Sequence, residues 1–300
     1  MDYNQNKNGQ YEGRGTKSGF QNRGIANIRD RLNINLILEN ILRYQKNFNK
    51  HNLDITGLYS FQRNTYRANS IYGQGFPNDF LTYYQINIGE LVSTSANYSK
   101  DVVISQMGRF NYNYDNRYLV TFTGRRDGYS GFGRDQKHGF FPSFALGWIL
   151  SNERFMEDSK SIDYLKFRAS YGKNGNQAVG PFNTLARMNT EPYLHGSSTV
   201  AGFIPGTLDN NNLGWETTAS FNLGIDYMLF EGRLQGAVNY YNAITSDLLL
   251  ARSISSTHGI TSITQNVGKT QNRGFELNLI SNNLKNSQFG WMTDLNFSLN

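Results

Sequence analysis

The chain has 300 residues, enough for one large domain or two ordinary ones, and no cysteine, which excludes disulfide frameworks and thiolate metal sites. Its net charge of +6 comes from Lys and Arg scattered singly, without the basic run that tracks a phosphate backbone, so no nucleic-acid partner is expected. Only 38% of residues are hydrophobic and no run of about 18 apolar residues occurs, which excludes a helical membrane span but leaves a membrane β-barrel open, because only every second barrel residue faces lipid.

Met1-Asp2-Tyr3-Asn4-Gln5 lacks the basic start and apolar core of a signal peptide, so an exported chain of this sequence is expected to be an internal piece of a longer one. Gly13-Arg14-Gly15-Thr16-Lys17-Ser18-Gly19 superficially resembles a phosphate loop. It lacks the spacing that ends in Gly-Lys-Ser/Thr, shows no strand-to-helix switch, and reads as a flexible loop.

Ten segments then alternate apolar with polar residues: 32–46, 51–66, 101–114, 118–127, 139–150, 164–173, 215–227, 233–247, 271–281 and 289–299. In the seventh, Trp215, Thr217, Ala219, Phe221, Leu223, Ile225 and Tyr227 interleave with Glu216, Thr218, Ser220, Asn222, Gly224 and Asp226. A period of two puts successive side chains on opposite faces of a strand. The fold class predicted is all-β, an antiparallel transmembrane barrel with lipid on one face and water on the other. The gaps run 4, 34, 3, 11, 13, 41, 5, 23 and 7 residues, mostly alternating short and long, as periplasmic turns and extracellular loops do; the middle pair of 11 and 13 fits that rhythm least.

Asn47-Phe48-Asn49-Lys50, Asp115-Asn116-Arg117 and Glu231-Gly232 supply residues that tolerate tight turns. Aromatic residues gather near these short turns, as an interfacial girdle requires: Tyr44 and Phe48, Tyr112, Tyr114 and Tyr118, Tyr227 and Phe230, Phe289 and Trp291. A Lys or Arg pointed into mid-bilayer costs about 2–4 kcal/mol. The polar face carrying Lys166, Arg168, Asn222, Asp226 and Asp294 is therefore expected to line the lumen. The long segments 67–100, 174–214 and 248–270 are rich in Asn, Gly, Ser and Thr and are placed on one side of the membrane.

His51, His138, His195 and His258 are widely spaced, so no metal site is expected. Gly128-Tyr129-Ser130-Gly131-Phe132-Gly133-Arg134-Asp135 is no dinucleotide fingerprint, since no helix follows; it reads as a hairpin loop that either packs on itself or touches a ligand. No nucleophile–base or paired-carboxylate arrangement emerges, so neither a cofactor nor an enzymatic activity is predicted.

Several stretches resemble the SusC/RagA family of TonB-dependent outer-membrane transporters. They are Phe110-Asn111-Tyr112-Asn113-Tyr114-Asp115-Asn116-Arg117-Tyr118-Leu119; Arg125-Arg126-Asp127-Gly128-Tyr129-Ser130-Gly131-Phe132-Gly133; Gly139-Phe140-Phe141-Pro142-Ser143; Gly147-Trp148; Leu165-Lys166-Phe167-Arg168-Ala169-Ser170-Tyr171-Gly172 with Asn174-Gly175-Asn176-Gln177; Leu213-Gly214-Trp215-Glu216-Thr217-Thr218; Asn222-Leu223-Gly224-Ile225-Asp226; Asn266-Val267-Gly268; and Asn272-Arg273-Gly274-Phe275-Glu276. They arrive in the family's order over roughly residues 30 to 300.

The resemblance implies a 22-stranded barrel in the outer membrane of a Bacteroidetes-like Gram-negative bacterium, plugged by an N-terminal domain. It implies a SusD-like surface lipoprotein as lid, and import of oligosaccharides or peptides with energy from TonB, ExbB and ExbD. No TonB box, plug or closing C-terminal strand is recognised, so residues 1–300 are expected to form about ten strands of the barrel domain. Tyr129, Phe132, Arg134, Asn174, Asn176, Tyr193 and His195 are the candidate ligand-contacting loop residues, because aromatic faces stack on sugar rings and amides bond hydroxyls. The alternatives are a siderophore-type TonB-dependent receptor, a porin, and a soluble secreted glycan-binding β-protein whose apolar face would pack on a second sheet.

Overall fold

The computed structural model describes residues 1–285 and 289–300; the side chains of His258 and Lys285 lie outside the described residues. Its strands in chain order are β1 (Asp2–Glu12), β2 (Ile25–Phe48), β3 (His51–Gln74), β4 (Leu91–Tyr114), β5 (Tyr118–Tyr129), β6 (His138–Ile149), β7 (Ile162–Asn176), β8 (Arg187–His195), β9 (Ser198–Thr207), β10 (Glu216–Leu229), β11 (Leu234–Ser246), β12 (Leu249–Ser253), β13 (Ser262–Asn266), β14 (Lys269–Lys285) and β15 (Gly290–Leu299). Eleven of them form one antiparallel sheet in the order β1-β2-β3-β4-β5-β6-β7-β10-β11-β14-β15, while β8-β9 and β12-β13 are separate two-stranded hairpins. All ten expected strands are present and neighbour one another in sequence order. The eleventh, β1, was not expected.

Two compact units share the chain: Met1–Leu38 with Ser60–Val103, and Glu39–Tyr59 with Ile104–Asn300. In the first unit, β1 pairs with β2 from Asp2↔Asn35 to Glu12↔Ile25. The sequence of β1, Asp-Tyr-Asn-Gln-Asn-Lys-Asn-Gly-Gln-Tyr-Glu, is polar on both faces and exposed along nearly all its length, so it carries no periodic signal. The 13–19 stretch does sit between a strand and a helix, contrary to expectation: β1 ends at Glu12 and α1 spans Lys17–Gln21, with Thr16 Oγ1 accepting from Gly19 N at 3.0 Å. Gly19 of that single helical turn is buried, as are Ala26 and Phe76 of the same unit. The connection from β3 to β4 is tied down by Phe76 N donating to Arg23 O at 2.8 Å, Tyr11 Oη donating to Asp79 Oδ1 at 2.7 Å, and an Arg23–Glu90 ion pair.

Strands β2, β3 and β4 each run 24 residues, whereas about 9–11 tilted residues cross a bilayer. The expected 32–46, 51–66 and 101–114 are the alternating portions of longer strands. Much of 67–100, read as loop, is strand, with a 3₁₀ segment at Thr82–Ile88.

In the second unit the register sorts side chains by face. Trp148, Phe167, Ile225 and Val238 share one row across β6, β7, β10 and β11, and Leu146, Ala169, Leu223 and Tyr240 share the next. The interleaved rows put Ser170 beside Asn222 and Lys166 beside Asp226, with Arg168 facing Gly224 and, beyond it, Asn239. The apolar face is uncovered: Phe122, Phe144, Leu223 and Phe297 are 49, 44, 44 and 50% exposed. A soluble sandwich buries that face against a second sheet; nothing among the described residues plays that part.

The strand order places connections 115–117, 150–161 and 230–233 at one end of this unit and 130–137, 177–215 and 247–268 at the other. The 13-residue gap thus belongs to the short-turn end, where it folds into 3₁₀ turns at Leu150–Asn152 and Arg154–Met156. Asp115 and Asn116 take left-handed φ of 52° each, and Phe230, Glu231 and Gly232 take 57°, 56° and 74°. Glu153 lies between the two 3₁₀ turns. Its carboxylate accepts from Tyr118 Oη at 2.6 Å, Trp148 Nε1 at 3.1 Å and Arg117 Nη1 at 3.5 Å. These donors, the Tyr118 hydroxyl first, hold its pKa below the ordinary glutamate value. Phe48 stacks on His51 at 4.9 Å between centroids, and Tyr114 on Tyr118 at 6.3 Å, so aromatic rings do gather at this end.

Candidate functional site

The opposite end of the second unit carries its buried core. Phe132 packs edge-on to Tyr129 at 5.1 Å and to Trp215 at 5.1 Å, and Phe141 meets Trp215 at 5.3 Å. Phe132 is 1% exposed, Tyr129 4% and Leu213 0%. Glycine is required where the Phe141 ring lies against backbone: a Cβ at Gly175 would sit 2.1 Å from it, and at Gly139 2.4 Å.

Hydrogen bonds knit three connections into one body around this core. Gly133 N donates to Leu213 O at 2.9 Å, Tyr129 Oη to Val179 O at 2.9 Å, and Trp215 Nε1 to Lys137 O at 3.1 Å. Asn266 accepts from Gly214 N at 2.8 Å and donates to the carbonyls of Gly214 and Asp247 at 3.0 Å each. Glu216 accepts from Asn176 Nδ2 at 3.2 Å and from Leu249 N at 3.1 Å. The half-buried side-chain amide of Asn266 thereby supplies backbone groups with partners that an irregular loop would otherwise leave unmade.

Within this body a cavity of about 490 Å³ opens between the root of the β8–β9 hairpin and the segment leading into β13. Asn183, Arg187, Asn189, Thr207, Thr261 and Thr264 contribute its polar lining. Hydroxyls and amides with a single guanidinium suit a neutral or acidic polar ligand.

The seven loop candidates are dispersed. Tyr129 and Phe132 hold the loop together from inside and offer no accessible ring. Arg134 is exposed on the β5–β6 connection. Asn174 and Asn176 end β7, opposite Thr218 and Glu216. Tyr193 and His195 sit at the exposed tip of the β8–β9 hairpin, opposite Val200 and Ser198. None of the seven lines the cavity. Its lining residues carried no sequence signal beyond a polar loop composition.

Lys166, Arg168, Asn222, Asp226 and Asp294 fall on one face of the sheet by register. Arg168 donates Nε to Asp226 Oδ2 and Nη2 to Asp226 Oδ1, each at 2.7 Å, and Nη2 also to Asn239 Oδ1 at 2.9 Å. Lys166 pairs with Asp226 in register and Asn222 with Ser170, while Asp294 lies opposite Ile280, in step with the Asn278–Asn296 contact at 2.7 Å. Forked pairing of this kind fixes the guanidinium plane and neutralises both charges.

Comparison with known proteins agrees with this architecture. The family described as TonB dependent receptor-like, beta-barrel matches residues 2–300. TonB-dependent receptor P3 of Formosa agariphila is 37% identical over 278 residues, which cover 92% of this chain and 28% of that protein. TonB-dependent receptor SusC of Bacteroides thetaiotaomicron is 34% identical over 217 residues, 70% of this chain and 22% of the relative. Among solved structures, the RagAB peptide transporter superposes with a TM-score of 0.82 at 25% identity, over 92% of this chain and 30% of that one. The chain therefore spans less than a third of the length of these relatives.

Proposed function

The chain belongs to the TonB-dependent receptor β-barrel family, and from that premise we propose that it forms part of the wall and the loop cap of a SusC-type outer-membrane importer of oligosaccharides or peptides. One observation carries the reading. The sheet of the second unit leaves one apolar face uncovered, keeps the other polar, and gathers that unit's buried core into a knitted loop body at one end. Lipid covers the apolar face, and Lys166, Arg168, Asn222, Asp226 and Asp294 line the lumen. The cavity between the loop hairpins receives cargo. Arg134, Asn174, Asn176, Tyr193 and His195 serve the vestibule or its lid, a SusD-like lipoprotein; Tyr129 and Phe132 serve the loop core instead.

Energy reaches such a transporter through TonB, ExbB and ExbD by way of segments outside this chain. The likeness to the RagAB peptide transporter supports peptides as one cargo class, and the likeness to SusC supports the family's lid-and-barrel plan. The test is uptake by cells carrying the full-length gene, with and without TonB, on defined oligosaccharides and on peptides as sole carbon source. TonB-dependent growth on either supports the reading. Growth unchanged by deletion of the gene on every nutrient would sink it.

A further inference from the structure

Two of the cavity's walls are strand edges, while Arg187 and Asn189, alternate residues of β8, enter it from a strand face. A strand that shows its face contributes alternate residues, because side chains alternate with a period of two. Here consecutive residues line the space: Ile204–Leu208 at the end of β9, and Gly259–Thr264 leading into β13. Both strands belong to two-stranded hairpins, so each has one edge without a neighbouring strand.

Which backbone groups point into the space follows from parity. Thr261 O accepts from Ile254 N at 2.9 Å, so Thr261 turns toward the β12 side. In a strand the N–H and C=O of one residue point the same way and those of the next point oppositely. Ser262 and Thr264 therefore turn outward. Asn210 Nδ2, arriving from outside the hairpin, donates to Thr264 O at 2.7 Å, as this parity requires. The N–H and C=O of Ser262 and the N–H of Thr264 remain on the open edge.

Across the gap, Pro205 pairs with Met188, and Pro192 of β8 pairs with Ala201. Proline gives no N–H to a ladder, so it occupies positions whose polar groups face away from the partner strand. Both prolines fall on the same parity, which turns the Pro205 carbonyl outward. Among the described residues no aromatic ring lines the cavity, so they offer no stacking surface for a sugar ring there. Arg187 is the one charged residue among the described residues of the lining.

We propose that the slot between the free edges of β9 and β13 takes an extended peptide as an added strand, with Arg187 receiving its terminal or side-chain carboxylate. Main-chain pairing supplies affinity with little demand on peptide sequence. A strand rises about 3.3 Å per residue, so β13 offers an edge for a segment of about its own 5 residues. This rests on the importer reading and names the cargo class of that same cavity.

The experiment uses the purified full-length transporter and a tryptic digest of casein, with bound peptides identified by mass spectrometry and one recovered peptide resynthesised for titration. The wild type should retain peptides. S262P and T264P, which remove outward N–H groups and leave the β12 ladder intact, should weaken binding at least tenfold. R187Q should weaken the free-acid peptide more than its amide. Should a proline variant misfold by thermal unfolding, alternate backbone N-methylation of the peptide tests the same bonds on the wild type and should also cost at least tenfold. Binding indifferent to N-methylation and to R187Q overturns the proposal, as does recovery of no peptide from the digest. Uptake separates the two readings. TonB-dependent import of an oligosaccharide without peptide binding rejects the slot and keeps the importer. Peptide bound in the slot with no TonB-dependent uptake does the reverse.

Discussion

The two ends of the larger unit are held by different physics. At the short-turn end, left-handed residues, ion pairs and one carboxylate clamp close the connections: Glu153 ties Tyr118, Trp148 and Arg117, and Lys50 pairs with Asp115 at 2.8 Å. At the loop end, four aromatic rings are packed together and the backbone is stitched by asparagine and glutamate side chains. Turns of two to four residues need only local backbone geometry. Connections of twenty or more must build a core to stay ordered, since their backbone groups cannot be buried unpaired.

The largest break should come from F132A. Removing a fully buried ring leaves a cavity worth about 3–5 kcal/mol. Loops 130–137 and 177–215 should become protease-sensitive while the strands stay protected, as read by limited proteolysis of the full-length protein. G175A comes next, because its Cβ would overlap a Phe141 ring already held against Trp215. Overpacking of this kind costs about 1–3 kcal/mol, and thermal unfolding should show it, with F141L restoring part of the loss.

E153Q sharpens the contrast at the other end. Glu153 has a lowered folded pKa, so the unfolded chain takes up its proton first as pH falls. Its contribution is present above the unfolded value of about 4.3 and is lost as pH drops through the folded value. The wild type should therefore lose stability on acidification over that window, and E153Q should flatten this part of the profile and leave loop-end proteolysis unchanged. The smallest effect belongs to K50A. Exposed pairs such as Lys50–Asp115 are weak and screened, so unfolding should move within experimental scatter and less at high salt.

What the sequence reveals follows from what each part is made of. Strands β2 to β7, β10, β11, β14 and β15 are legible because one face must be apolar, and alternation such as Phe221-Asn222-Leu223-Gly224-Ile225-Asp226 records it. Strand β1 and the outer reaches of β2, β3 and β4 are not, because water on both faces removes the period. Lys166, Arg168, Asn222, Asp226 and Asp294 sit on the polar side of that same alternation. Tyr129 and Phe132 are buried, an outcome their sequence leaves open because a ring in a glycine-rich loop reads equally as display or as core; Gly139 and Gly175, spaced to receive the Phe141 ring, mark the core. The cavity left no trace, since much of its wall is backbone edge, which places little demand on residue type.

The stitching of the 177–215 and 247–268 connections by Asn266, Glu216 and Asn210 has a kinetic consequence. A cavity assembled at folding is already shaped when a ligand arrives, and no loop has to be immobilised during encounter. Association should then be limited by diffusion into the opening rather than by slow rearrangement, and its rate should be nearly independent of how long the bound ligand stays.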